Sequence, residues 1–316
     1  MPDYPIYDVT HWLVTDVEPG GEDVKYWLRG AAGEVEEQSW LFKQVTMKEI
    51  PAKGGGTRSY RQGEDWAEKV SSELAGLINL PAARIELATR DGLPGLLSRD
   101  TKPSGWSLHG GGVLLAAVDD RYQPKTESDR RDNRIGHNLD NVRRVLEGLA
   151  PSPGWALPAE FTAFDLFAGF LVFDAWIANR DRHELNWALL QDHEGRLYLS
   201  PTFDHGAALG SGLEDPARSK FLSRRGGIEG WCRRGTAHRF EDCRDKTLVR
   251  LAREALERAS PAAREYWIDK VGAVTPQDWQ TVLNRVPSLS VPTATFIDEL
   301  LRVNQERIRD ECQFGD

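Results

Sequence analysis

From residue 179 the chain reads Asn-Arg-Asp-Arg-His-Glu-Leu-Asn, so that Asp181 is followed by four residues and then Asn186. Two strand-like segments, 187–191 and 196–200, come next, joined by Asp192-His193-Glu194-Gly195, and Asp204 follows them. A Gly-bearing turn between two apolar runs predicts a β-hairpin. Antiparallel pairing brings the open ends of a hairpin together, so Asn186 and Asp204 should lie side by side with Asp181 on the adjoining loop. A hard cation such as Mg²⁺ takes oxygen ligands and leaves sites for phosphate. An aspartate and an asparagine amide oxygen can supply protein ligands, and a second aspartate can accept the proton of an attacking hydroxyl. An Asp followed by four residues and an Asn is also the spacing of the phosphoryl-transfer catalytic loop.

Other chemistries fit less well. Asp and Asn dominate turns everywhere, so either residue alone would read as turn chemistry; the hairpin and Asp204 together favour a site. His183-Glu184 opens a His-Glu-x-x-His zinc pattern, but Trp187 stands where the second His belongs. His183 is better read as ordering the loop by hydrogen bonds. Ser200, Ser211 and Ser219 are not in a G-x-S-x-G elbow. The eleven tryptophans read as core packing.

The elements that must hold these residues change character along the chain. The first third shows β-rich runs at 12–17, 24–28 and 39–45, separated by the Gly-rich turns 18–21 and 30–33. Residues 65–78 carry apolar positions 67, 70, 74, 77 and 78, a helical stripe. Strands are expected again at 85–88 and 113–118. Beyond about residue 120 the pattern is helical. An amphipathic helix over 139–149 ends at Pro151 and Pro153, and 161–177 is apolar on nearly every face, a helix for the centre of a lobe. Further helices are expected at 246–258, 261–271, 276–286 and 293–310. The Gly-, Arg- and Ser-rich stretch 210–239 reads as a mobile segment near the cleft. The fold class is therefore α+β with two lobes, a β-rich part over residues 1–118 and a helical part over 119–316, with a cleft between them where a small ligand binds.

Composition is that of an ordinary globular chain, 40% hydrophobic and 28% charged. The formal net charge of −9 argues against a sequence-blind nucleic-acid binder. No run approaches the roughly 18 apolar residues of a membrane span, and the first residues lack the pattern of a signal peptide. Cys232, Cys243 and Cys312 form no CxxC pair. A cytoplasmic protein without membrane partners is expected.

The Asp-Arg-His-x-x-Asn run, the hairpin and the following Asp204 resemble the HipA-like kinases and their relatives in the phosphatidylinositol-kinase group. Asn179 stands where protein kinases begin His-Arg-Asp, and His205-Gly206 replaces Phe-Gly, both as in the atypical members. The resemblance implies a protein-kinase-like fold, ATP and Mg²⁺ as cofactors, Asp181 as catalytic base, and Asn186 and Asp204 as metal ligands. It also implies that Lys43 meets the ATP phosphates, held by a glutamate of the 65–78 helix, Glu68 by position with Glu73 as the alternative. Lys43 shares a strand face with Leu41 and Val45 and so needs an anionic partner. The turn 18–23 is the candidate nucleotide-covering loop, although it has no G-x-G-x-x-G. The closing stretch, Trp279 and 282–287 through Asn304, also looks family-like. The implied activity is a Ser/Thr protein kinase with an unidentified protein acceptor. Alternatives are a lipid or small-molecule kinase of the same fold, or a catalytically silent module that holds an antitoxin-type protein partner.

Overall fold

The computed structural model describes residues 2–17, 25–30, 39–51, 55–124, 134–287 and 289–314. The architecture is α+β, a sheet-rich N-terminal part followed by a helical C-terminal part. In chain order the first part comprises β1 (Ile6–Asp8), β2 (Leu13–Val17), β3 (Lys25–Arg29), β4 (Ser39–Gln44), β5 (Met47–Pro51), β6 (Thr57–Arg61), α1 (Glu64–Leu77), β7 (Ile85–Arg90) and β8 (Leu93–Arg99). Six strands form one sheet in the order β1-β7-β8-β4-β3-β2, antiparallel except for the β1–β7 pair, and β5–β6 is a separate hairpin.

Strand alternation sorts β4 into two faces. Trp40 and Phe42 are buried on one, in a cluster with Leu28, Ala88 and Leu97 that Val9 and Trp12 close. Leu41 and Lys43 take the other, where Leu96 pairs directly opposite Lys43. α1 packs against β7 and β8, with Ala67, Val70 and Leu74 of its stripe and the neighbouring Trp66 buried, while Leu77 of the stripe is exposed. A lysine is thus aimed from the middle of a sheet toward a helix.

The second part comprises β9 (Ser107–Gly110), α2 (Gly111–Val118), α3 (Leu139–Val145), α4 (Ala163–Trp176), β10 (Ala188–Gln191), β11 (Leu197–Leu199), α5 (Asp215–Leu222), α6 (Gly227–Arg233), α7 (Leu248–Arg258), α8 (Pro261–Ala273), α9 (Pro276–Leu283) and α10 (Val291–Glu311). Every residue of α4 is buried, and α7, α8 and α10 surround it. Fully buried side chains such as Phe167, Phe170, Phe173 and Trp176 each contribute roughly 1.5–3 kcal/mol. Its two carboxylates are both employed. Asp165 closes a capping box with Thr162 and accepts from the Ser260 amide at 2.7 Å, and Asp174 is part of the site described below. The expected hairpin is present as β10–β11, and β9 adds a third strand along β10.

Two expectations are overturned. Residues 113–118, read as a strand, are helical in α2. A continuous apolar run has no alternation to mark a strand. Gly111 lies so close to the Trp187 ring and the Glu184 carbonyl that a Cβ would sit 2.3 and 2.6 Å from them. The stretch 210–239 is not a mobile segment but two helices, α5 and α6, docked on α10. Arg218 is buried there between Asp215 and the Gly210 carbonyl. The candidate covering loop at 18–23 lies outside the described residues. Among the described residues, no helix is long and apolar enough to cross a membrane.

Candidate active site

The loop that carries Asp181 begins with a helix stop. α4 ends at Ile177, Ala178 turns into the left-handed region at φ 55°, and the Asn179 amide reaches back to the Asp174 carbonyl at 2.8 Å. That six-to-one bond is a Schellman closure, and it sets the direction in which the chain leaves the helix. Asn179 then works on both sides. Its Nδ2 donates to Asp174 Oδ1 at 2.8 Å, and its Oδ1 accepts from the Asp181 amide at 3.2 Å.

Beneath the loop lies a buried polar knot. Arg182 donates through Nε and Nη2 to the two oxygens of Asp174, both at 2.8 Å, a fork-to-fork pairing. Its Nη1 donates to the Asn186 carbonyl at 2.5 Å and the Phe203 carbonyl at 3.2 Å. Those carbonyls flank the hairpin on either side, so one guanidinium ties together the strand ends that present Asn186 and Asp204. The remaining N–H lies 3.1 Å from His205 Nε2. Burial, and then the Arg182 charge, hold the His205 pKa well below the ordinary histidine value, so the ring is neutral and Nε2 accepts.

The loop itself is stapled. The Asn186 side chain donates to the Asp181 carbonyl at 2.8 Å, the His183 amide to the same carbonyl at 2.7 Å, and the Asn186 amide to the His183 carbonyl at 2.9 Å. His183 Nδ1 accepts from the Leu185 amide at 3.2 Å, so His183 does order the loop. Burial lowers its pKa against the pull of Asp181 and Asp204, leaving a neutral ring with its proton on Nε2.

From the N-terminal sheet, Lys43 Nζ reaches within 3.1 Å of Asp204 Oδ1 and 3.3 Å of Glu68 Oε1. The second Glu68 oxygen accepts from the His205 amide at 2.9 Å. The N-terminal sheet, α1 and the end of the hairpin therefore meet at one ammonium group. Glu73 does not take part, because it pairs with Lys69 at 2.8 Å. Burial opposes the Lys43 charge, but Asp204 and Glu68 outweigh it and hold its pKa above the usual lysine range. Lys43 in turn holds Asp204 well below the usual carboxylate range, and burial pushes Glu68 up. Asp204 sits at φ 62°, a left-handed conformation that aspartate tolerates and that recurs at functional sites. On the loop, Asp181 Oδ1 accepts from Arg239 Nε at 2.5 Å.

The structure joins Lys43 with Glu68 and Asp204, and Asn186 with the Asp181 carbonyl, and Arg182 links the two sets through the Asn186 and Phe203 carbonyls. Arg182 and Asp174 were not assigned a part. The sign of them was a carboxylate inside an otherwise apolar helix, which needs a partner. Arg239 carries no local signal at all.

The donor set suits a hard cation. Asn186 spends Nδ2 on the loop, leaving Oδ1 available, and Asp204 adds carboxylate oxygen; two protein oxygens with the rest from phosphate and water is how Mg²⁺ is commonly held. Among the described residues, no group of three or more His, Cys, Asp or Glu forms a metal cage of its own.

No family model matches the chain, and no curated protein does. Solved structures do. The Helicobacter pylori proinflammatory kinase CtkA superposes with a TM-score of 0.68 over 98% of this chain and 97% of its own, at 15% identity. The Shewanella oneidensis MR-1 toxin–antitoxin complex of HipA, HipB and operator DNA matches with a TM-score of 0.56, over 98% of this chain and 70% of the matched one, at 13% identity. The fold of this chain is the kinase fold of the HipA and CtkA structures.

Proposed function

We propose that the chain is an ATP- and Mg²⁺-dependent phosphotransferase of HipA type, passing the ATP γ-phosphoryl group to a Ser or Thr hydroxyl of a protein. The observation that carries this reading is the meeting of Lys43, Glu68 and Asp204 at the end of the hairpin whose other end carries Asn186 and the Asp181 loop. Lys43 binds the α- and β-phosphates, and Glu68 keeps its ammonium pointed into the cleft. Asn186 and Asp204 hold Mg²⁺, which neutralises phosphate charge when bound. Asp181 orients the acceptor hydroxyl and takes its proton. We take residues 1–118 and 119–316 as the nucleotide-binding and catalytic lobes, except that β9 and α2, which pair with the hairpin and pack on α3, go with the catalytic lobe. We place the protein in the cytoplasm, with an antitoxin-type protein as its partner.

Lys43 and Asp204 form an ion pair. With Mg²⁺-ATP bound, Asp204 would hold the cation and Lys43 the phosphates. Titration with a fluorescent ATP analogue tests this. Binding should need Mg²⁺ and weaken at least tenfold in Asp204→Asn; binding indifferent to both changes contradicts the assignment. Acceptor panels of dephosphorylated casein, lipid head groups and sugars distinguish the protein substrate from the alternatives.

A further inference from the structure

Asp181 has two carboxylate oxygens in unequal situations. Oδ1 accepts from Arg239 Nε at 2.5 Å, whereas among the described residues Oδ2 has no hydrogen bond and its ion-pair neighbour, His183 Nε2, lies at 3.8 Å, beyond hydrogen-bond reach. Arg239 is itself firmly seated. Its carbonyl accepts from His137 Nδ1 at 2.7 Å, and the next residue, Phe240, stacks on the His137 ring with centroids 4.2 Å apart. One residue further, the Glu241 amide donates to the His137 carbonyl at 2.8 Å. The Glu241 carboxylate accepts from the Gly136 amide at 3.1 Å and from Asn138 Nδ2 at 2.6 Å.

His137 also closes the circuit back to the loop. Its Nε2 accepts from Trp187 Nε1 at 3.3 Å, and Trp187 directly follows Asn186. Burial lowers the His137 pKa to about 4, so the ring is neutral, and with Nδ1 donating and Nε2 accepting its tautomer is fixed. The chain therefore uses the 136–138 segment to hold the 239–241 segment against the loop, and the side chain delivered there ends on one oxygen of Asp181.

We propose that Arg239 is the positioning residue for the base: it occupies Oδ1 and presents Oδ2 alone to the acceptor hydroxyl. This rests on the reading of Asp181 as the base. In this arrangement a positive charge neighbours the carboxylate without blocking the oxygen that takes the proton. The hydroxyl proton moves to Oδ2 as the hydroxyl oxygen bonds to the γ-phosphorus, and the bond from that phosphorus to the bridging oxygen of ADP breaks.

Two readouts test it on the full chain. The first needs no ligand: a thermal-unfolding cycle of Asp181→Asn, Arg239→Ala and the double variant. A real pair makes the shifts non-additive by about 1–3 °C, and additive shifts overturn the contact. The second is transfer from labelled ATP to dephosphorylated casein. Arg239→Ala should lower kcat about 10- to 100-fold with Mg²⁺-ATP affinity unchanged, and Arg239→Lys should recover part of the loss. Wild-type kcat in Arg239→Ala, or an equal loss of nucleotide affinity, overturns the positioning role. Transfer that survives in Asp181→Ala removes the base assignment and this proposal with it; non-additive unfolding shifts would then still stand, which separates that failure from loss of the contact.

Discussion

Two clusters of charge flank the 179–186 loop, and they are built on opposite rules. Below it, Arg182 spends all five N–H groups on Asp174, two carbonyls and a neutral His205, every partner is fixed, and the side chains are almost wholly shielded from water. Above it, Lys43 faces two carboxylates, Lys25 adds its charge to that of Lys43 at Asp204, and the Asp204 side chain is 39% exposed. A saturated, buried cluster can do no chemistry, but it holds backbone in place. A cluster open to solvent at Asp204 is what a cation and phosphates can enter and rearrange. The lower cluster is the platform and the upper one the working surface.

Substitution should separate the two. The largest effect on stability is expected at Arg182→Met, which leaves Asp174 charged and buried without its partner and should cost about 3–5 kcal/mol in denaturant unfolding. Adding Asp174→Leu should return much of that loss; if the single change costs less than about 1 kcal/mol, the platform reading is wrong.

Next comes pH. His137 is held neutral in the fold with its pKa lowered to about 4, against about 6.5 when unfolded. As pH falls below 6.5 the unfolded chain takes the proton first. Its contribution is therefore complete above pH 6.5 and declines down to pH 4, by on the order of 3 kcal/mol. Melting temperatures measured across that window should fall, and fall less in His137→Gln.

Lys43→Met should show the reverse pattern to Arg182→Met. Phosphoryl transfer should drop by about 100-fold or more, while stability changes by only about 1–2 kcal/mol, because Glu68 can take up a proton and Asp204 can turn to water. The smallest effect is expected at Arg58→Ala. It breaks the exposed pair between the β5–β6 hairpin and Glu214, with bonds of 2.6 and 2.7 Å, and should cost less than about 1 kcal/mol.

The same division explains what could be read from residue order. The hairpin, the central helix α4 and the stripe of α1 are local patterns, and so is the spacing of Asp181 and Asn186. These were legible, as was the convergence of Asn186 and Asp204 that the hairpin enforces. Strands β8 and β9 and the β5–β6 hairpin escaped, because Leu93–Arg99 and Ser107–Gly110 owe their state to the strands beside them. α2 was misread because a purely apolar run has no period. Arg182 stood inside the motif, yet its partner Asp174 lies on the preceding helix, and only the chain's reversal after Ala178 brings them together. Arg239 reaches Asp181 from far along the chain through the packing of Phe240 on His137. No pattern in the sequence marks such a contact.

The most direct test of the account is transfer of label from γ-labelled ATP by the purified chain, with and without Mg²⁺, beside Asp181→Ala. The account predicts labelled protein, the chain itself or added dephosphorylated casein, in the presence of Mg²⁺. It predicts a rate lower by about 10²- to 10⁴-fold in the variant, the usual worth of a positioned base. Labelling that persists undiminished in Asp181→Ala, or a wild-type chain that neither binds Mg²⁺-ATP nor transfers its phosphoryl group, would contradict it.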